Sequence, residues 1–276
     1  MSVLERFGLL QDFYLALKLA FLPTLWQIWV TPSLLFRPTD ISRIFFSHVW
    51  AAFGPGIDGN NVQLKTSLIT PNAYGVVLDI GAGKPPLTSL NPHPFILPQG
   101  HGHTSKYLDT THVTKYVALE PNVLMHGEIR RAANASGFTE EAGTLVLLSC
   151  GAEDTTTILT SLGGYQPVDT LVSVLTLCSI PEPQESIKSL VTEVLKPGGQ
   201  FLFFEHVQNP KPDVAWWQTF WSPLWAMAFD GCKLDRPTHM WIQQLGGWAK
   251  QELTGLDDED EEHLFWHRVG KLVKAT

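Results

Sequence analysis

Beyond residue 70 the chain alternates short apolar runs with stretches of helical spacing. Gly75–Ile80 (GVVLDI) predicts a buried strand that closes on the turn GAG. Lys115–Leu119 (KYVAL) predicts a second, closing on Glu120-Pro121. Thr144–Ser149, the almost wholly apolar Asp169–Leu177 and Gln200–Val207 (QFLFFEHV) predict the third, fourth and fifth strands. Between them, Asn122–Ser136 has helical spacing with Asn122 as an N-cap, and Gln184–Leu195 is an amphipathic helix stopped by Lys196-Pro197-Gly198-Gly199. Asp213–Phe229 has helical spacing as well, and two more strands are expected near Gln251–Leu256 and His263–Val273. Apolar strands alternating with helices predict an α/β fold: a mostly parallel seven-stranded sheet with helices on both faces.

The N-terminus follows another pattern. From Leu19 to Phe36 (LAFLPTLWQIWVTPSLLF) no residue is charged, and Lys18 and Arg37 bracket the run. Its 18 residues are at the lower limit for crossing a bilayer, and Pro23, Gln27 and Pro32 interrupt it. A basic leader followed by a small-residue cleavage site is not apparent, which argues against a removed signal peptide. A helical cap over a pocket, an interfacial membrane anchor and a true span all fit the pattern, the span least well. The expected division is therefore an apolar helical segment over residues 1–70 and an α/β domain over residues 71–276.

A parallel sheet of this kind binds its ligand beyond the carboxyl ends of its strands, at the switch point beside the first strand. Asp79, Gly81, Gly83, Glu120, Glu153, Cys178 and His206 are expected around that crevice. An acid closing the second strand can accept hydrogen bonds from both hydroxyls of a ribose, which suits Glu120. The turn itself decides between nucleotides. A dinucleotide fingerprint carries a third small residue so that a pyrophosphate can reach a helix N-terminus, but Pro85 and Pro86 stand in that place. S-adenosylmethionine has no phosphate and needs only close backbone approach at Gly81 and Gly83, so the prolines favour it.

LDIGAG, the acid of ALEP, the turn GAED and LKPGGQFLFFEH together resemble the class I S-adenosylmethionine-dependent methyltransferases, with their Rossmann-like fold. LTLCSI, FFEHV and FWSPLWAMAFDGCKL narrow the resemblance to the methyltransferase-like 7 group, whose animal members resemble thiol S-methyltransferases attached to internal membranes. The resemblance runs roughly from Val76 to the C-terminus. It implies that Asp79, Gly81 and Gly83 line the methionine part of the cofactor, that Glu120 holds the ribose, and that Ala152 and Glu153 face the adenine. It also implies an intracellular protein, in the cytoplasm or on the cytoplasmic face of an internal membrane. Two departures stand out: the missing third glycine, and a long segment between Gly83 and Glu120. The excess, Asn91–Thr114, is too rich in Pro, Gly and Thr for one helix, and its His93, His101 and His103 read as a polar surface loop.

The remaining chemistry is modest. The cofactor's sulfonium already makes its methyl group electrophilic, so the protein must align a nucleophile and remove its proton. His206, ending the fifth strand, and Asp230, in FDGC, are the two candidate bases. Cys178 and Cys232 read as small buried residues, and no metal is assigned, because the three cysteines form no CxxC pair. Trp217, Trp221 and Trp225 recur every four residues, the spacing of a core-packing stripe. Ten tryptophans nonetheless suggest an apolar pocket or membrane-facing rim and hence a lipophilic small-molecule partner. A formal net charge of −8 and the acidic run Asp257–Glu262 argue against a nucleic-acid partner. The function expected is methyl transfer to a lipophilic thiol. A phenol or amine acceptor, or a catalytically silent cofactor-fold protein at a membrane surface, stays open.

Overall fold

The computed structural model describes residues 8–81, 104–121 and 123–276. Gly83, Pro85, Pro86, His93, His101, His103 and Asn122 lie outside the described residues.

Seven strands form one sheet: β1 (Gly75–Ile80), β2 (Val113–Leu119), β3 (Leu145–Leu148), β4 (Val168–Val174), β5 (Leu195–Val207), β6 (Trp248–Thr254) and β7 (Trp266–Lys274). Their order is β3-β2-β1-β4-β5-β7-β6. β1 to β5 run parallel, β7 is antiparallel to β5, and β6 is antiparallel to β7. Side chains alternate across a strand, and here both sides are buried. Leu78, Ile80, Val117, Leu119, Leu171, Phe201 and Phe203 enter one core. Val77, Tyr116, Ala118, Val172, Leu202 and Phe204 enter the other. Two-sided burial is why these strands read as continuous apolar runs rather than as alternating ones.

Helices cover both cores. On the first side lie α5 (Thr155–Leu162), α6 (Pro183–Ser189) and α8 (Thr238–Gln244), through Ile158, Ile187 and Ile242. On the second lie α3 (Val62–Ile69) and α4 (His126–Ala135), through Leu68, Ile69, Ile129 and Ala133.

Several predicted boundaries move. The fourth strand stops at Val174 rather than Leu177, because Leu175 takes φ 52° and donates its N–H to Phe204 O at 2.8 Å. Thr176, Leu177 and Cys178 are thereby freed from the ladder. The helix expected to Leu195 stops at Ser189 and passes through a wider turn at Leu190–Val194. The Lys-Pro-Gly-Gly stretch, expected as a helix stop, lies inside β5, where the ladder with β4 shifts register between Val168 and Thr170. The helix expected from Asn122 begins as a short 3-10 turn at Val123–Met125, and its α-helical part starts at His126.

The N-terminal segment forms α1 (Gly8–Val30), a 3-10 turn at Pro32–Phe36, and α2 (Pro38–Asn60). These pack against α7 (Pro212–Ala228), which follows β5. Phe13 of α1 lies with its ring centroid 6.3, 5.3 and 5.7 Å from those of Trp221, Trp225 and Phe229. Of the expected stripe Trp217, Trp221 and Trp225, the last two are buried here and Trp217 is half-buried. The neighbouring stripe, Trp216, Phe220, Leu224 and Met227, is exposed. Gln218 ties α7 to the sheet: its Nε2 donates to Val207 O at 3.1 Å and to Leu264 O at 2.8 Å, and its Oε1 accepts from Asn209 N at 2.7 Å.

Candidate active site

The strand order reverses between β1 and β4, so the crevice opens there, beyond the carboxyl ends of the strands. Two groups of side chains gather at that edge.

The first group follows β1, β2 and β3. Asp79 pairs in register with Ala118 of β2 and Val172 of β4 and is 2% exposed. Tyr116, on β2, donates its hydroxyl to Asp79 Oδ2 at 2.7 Å. Burial pushes the Asp79 carboxyl up to about 7, against the lowering effect of hydrogen bonds from Tyr116 and Thr104. Glu120 follows directly on β2 and is buried; its N–H donates to Leu148 O at 3.0 Å, and its carbonyl lies 2.9 Å from His126 Nε2. Ala152 is buried beyond β3, while Glu153 is exposed and folds its carboxylate over Gly151, where a Cβ would collide with it. Asp154 then caps α5, accepting from Thr157 N at 3.1 Å.

The second group follows β4 and β5. Glu205 is 0% exposed. It accepts from Ser173 Oγ at 2.6 Å, from Thr176 N at 3.0 Å and from Leu177 N at 3.2 Å. That carboxylate holds the turn which carries Cys178. Arg236 braces the same turn from outside, donating from Nη1 to Leu177 O at 3.0 Å and to Ile180 O at 2.8 Å. A second turn, after α7, runs through Asp230 and Gly231 at φ 48° and 80°, and Lys233 N donates to Cys178 O at 3.0 Å. The two turns bring Cys232 Sγ to 3.4 Å from Cys178 Sγ and 3.3 Å from His206 Nε2. The hydrogen bond from Cys232 holds the Cys178 thiol well below its ordinary range against the opposing effect of burial, and the nearby His206 imidazole adds to this. Cys150 is the contrast: burial, with Asp154 and Glu153 nearby, pushes its thiol up to about 11.

The groups meet where β1 turns past β4. Gly81 has φ +74°, and a Cβ there would lie 2.7 Å from Thr176 Oγ1. Only glycine lets the turn after β1 approach the turn after β4 so closely.

Of the residues singled out in the sequence, Asp79, Gly81, Glu120, Ala152, Glu153, Cys178 and His206 all lie along this edge. Asp230 bonds to α2: its Oδ2 accepts from Arg43 Nε at 3.4 Å, and its N–H donates to Ser42 Oγ at 3.2 Å. Tyr116, Glu205 and Arg236 were not anticipated. The signal for Glu205 was present in FFEHV, where an acid sits in an otherwise apolar strand. Cys232, which the sequence reads as a small buried residue, packs partly against the α7 core and also meets Cys178 and His206.

A seven-stranded sheet in this order, with β7 reversed beside β5, is the Rossmann-like fold of class I methyltransferases. Solved structures of that class share it. An O-methyltransferase family protein from Burkholderia thailandensis superposes with a TM-score of 0.54 at 11% identity, covering 92% of this chain and 71% of its own. A geranyl diphosphate methyltransferase in complex with SAM superposes with a TM-score of 0.53 at 11% identity, covering 79% of this chain and 85% of its own.

In sequence, the chain resembles thiol S-methyltransferases. It is 42% identical over 72 residues to thiol S-methyltransferase TMT1B of Rattus norvegicus, and 44% identical over 73 residues to thiol S-methyltransferase TMT1A of Homo sapiens. The matched stretch is 26% and 25% of this chain, so the chain spans 29% and 28% of the length of these curated relatives. No protein-family model matches the chain.

Proposed function

We propose that this protein is an S-adenosylmethionine-dependent methyltransferase whose acceptor is a lipophilic small-molecule thiol. The observation that carries the proposal is the Gly81–Thr176 contact, which joins a class I cofactor crevice to one buried thiol, one half-buried thiol and an imidazole. The cofactor would lie over β1 and β2. Gly81, with Gly83, would permit its close approach, Asp79 would set the turn beside its methionine part, Glu120 would take the ribose, and Ala152 and Glu153 would flank the adenine. The partial similarity to thiol S-methyltransferases supports a sulfur acceptor.

Methyl transfer forms a sulfur–carbon bond as the sulfonium–methyl bond breaks, and the acceptor's proton must leave first. A thiol with a free pKa near 8.5 loses it more readily than a phenol near 10. The group beyond β4 and β5 is where that proton would be lost; Asp230, paired with Arg43, is not assigned a part in it. Calorimetry with S-adenosylmethionine, followed by turnover of a thiol and a phenol of similar shape, tests the proposal. Binding and transfer to the thiol, faster as pH rises through the thiol pKa, is the expected result. Turnover of the phenol alone would sink the thiol assignment, and failure to bind the cofactor would leave a silent protein of this fold.

Of the helices before residue 70, α3 packs on the sheet, and on this proposal α1 with the turn after it docks the enzyme on a lipid surface, on the cytoplasmic side of an internal membrane. α1 is long and apolar enough to cross a membrane, yet Leu9, Ala16 and Ala20 pack into the protein. Leu22, Trp26 and Trp29, spaced on one helical face, are exposed, with Trp29 79% exposed, and Phe36 in the following turn reaches 89%. The exposed stripe of α7 extends the chain's apolar surface. Trp suits the membrane–water interface. Trp26→Ser with Trp29→Ser should lower the fraction of full-length protein that floats with phosphatidylcholine vesicles by about ten-fold or more, since each buried large apolar side chain contributes roughly 1.5–3 kcal/mol. Equal flotation of both proteins would show that this face does not meet lipid.

A further inference from the structure

Cys178, His206 and Cys232 come from three separate parts of the chain: the turn after β4, the end of β5 and the turn after α7. Their donor atoms nonetheless all lie within 4.8 Å of one another, and among the described residues they are the group of metal-ligand type that converges in this way. We propose that these three side chains form a binding site for a soft divalent cation, zinc being the expected one, with the fourth coordination position open to the sulfur of a small thiol.

The donor set fits. Two thiolates and one imidazole suit zinc, and a site with three protein ligands keeps one position for an exogenous group. Zinc bonds of about 2.3 Å to sulfur and 2.0–2.1 Å to nitrogen place tetrahedral ligand atoms roughly 3.5–3.8 Å apart. The separations here, 3.4 Å between the sulfurs and 3.3 Å from Cys232 Sγ to His206 Nε2, are a few tenths of an ångström shorter. Small side-chain rotations would open them. They are also far longer than a disulfide, about 2.05 Å.

The support is rigid, as a ligand set requires. Glu205 holds Thr176 and Leu177 N–H groups, Arg236 grips the carbonyls of Leu177 and Ile180, and Lys233 N bonds Cys178 O. Cys178 is 3% exposed, whereas Cys232 is half-buried, so the open position faces the Cys232 side.

The chemistry balances. Metal entry displaces one proton from each cysteine thiol, and His206 binds as the neutral imidazole through Nε2. A thiol entering the fourth position gives up its own proton to solvent. Its thiolate then takes the methyl group, and the neutral thioether, a poorer ligand, leaves with S-adenosylhomocysteine as the other product. The thiol clause rests on the proposed methyltransferase function; the metal site itself does not.

The test uses full-length protein purified under reducing conditions and loaded with zinc or with cobalt as a spectroscopic probe. About one metal per chain is expected, with a thiolate-to-cobalt charge-transfer band, and a small lipophilic thiol should shift that band. Cys178→Ser and Cys232→Ser should each weaken zinc affinity, read by competition with a chromogenic chelator, by at least about ten-fold. Cofactor calorimetry on the same variants reports folding and keeps the methyltransferase proposal separate: cofactor binding without metal binding overturns the site and spares the enzyme. The site is also overturned by metal affinity that is unchanged in both variants or by a purified chain 2 Da lighter through a Cys178–Cys232 disulfide, whereas a band that ignores the thiol overturns the thiol clause alone.

Discussion

Glu120→Ala is expected to weaken S-adenosylmethionine binding by about 2–4 kcal/mol, or roughly 30- to 1,000-fold. Glu120 is buried directly beyond the carboxyl end of β2, the strand beside β1, where the crevice opens. On the proposed function its carboxylate accepts from two ribose hydroxyls, and hydrogen bonds to a charged acceptor are the stronger kind. The backbone of Glu120 is held independently of its side chain, through Leu148 O and His126, so the strand end should keep its place in the variant. Glu120→Gln should fall between wild type and Ala, because an amide oxygen still accepts but carries no charge. Calorimetric titration of all three proteins, with thermal unfolding as the control for folding, gives the answer. Unchanged affinity in a folded Glu120→Ala protein would remove this residue from the cofactor site.

The second large effect is on stability and comes from Asp79. Its carboxyl titrates near 7 in the folded chain, above the ordinary 3.8, because burial disfavours the ionised form. Below pH 3.8 both folded and unfolded chains hold the proton, and Asp79 has no effect on the balance. Between 3.8 and about 7 the unfolded chain ionises while the folded chain keeps its proton, so stability falls as pH rises. Above about 7 the loss is complete. A shift of about three units corresponds to at most ~4 kcal/mol, and ~2–4 kcal/mol is the expected range. Asp79→Asn cannot ionise, and its amide oxygen can still accept from Tyr116. The difference in unfolding free energy between wild type and Asp79→Asn should therefore change by ~2–4 kcal/mol from pH 4 to pH 8, the variant gaining at the alkaline end. The difference isolates Asp79 from acids held low by hydrogen bonds, such as Asp109 and Asp154, which act in the opposite direction. Parallel pH profiles would show that Asp79 is ionised at no cost.

Glu120 comes after the end of its strand, where the proposed ribose contact lies, while Asp79 lies within β1 and is bonded across the ladder to Tyr116. The same edge continues into β4 and β5, where Glu205 plays the bracing part beside Cys178 and His206.

Much of this was legible along the chain, because a strand buried on both faces announces itself within six or seven residues. Gly75–Ile80 was expected and is β1, and the Trp221 and Trp225 stripe was expected to pack inward and does. The acids and glycine of the first two strand ends could be assigned because a parallel sheet always opens at its carboxyl edge. Strand ends set by long-range contacts were not legible: β4 stops early because Leu175 turns and bonds to Phe204 of β5. Nor could the pattern choose among cap, anchor and span for α1, since apolar composition is common to all three; Phe13 against Trp225 shows that one side of the helix belongs to the protein. The cysteines make the limit plainest. Cys178 and Cys232 are 54 residues apart, with no metal-ligand spacing to link them, and His206 is 26 residues from Cys232. By itself the sequence determined the strands and the acids at their carboxyl edge, because each depends on a pattern a few residues long. Only the tertiary structure decided that Cys232 joins Cys178 and His206 there, because that meeting depends on where the turns after β4 and α7 cross.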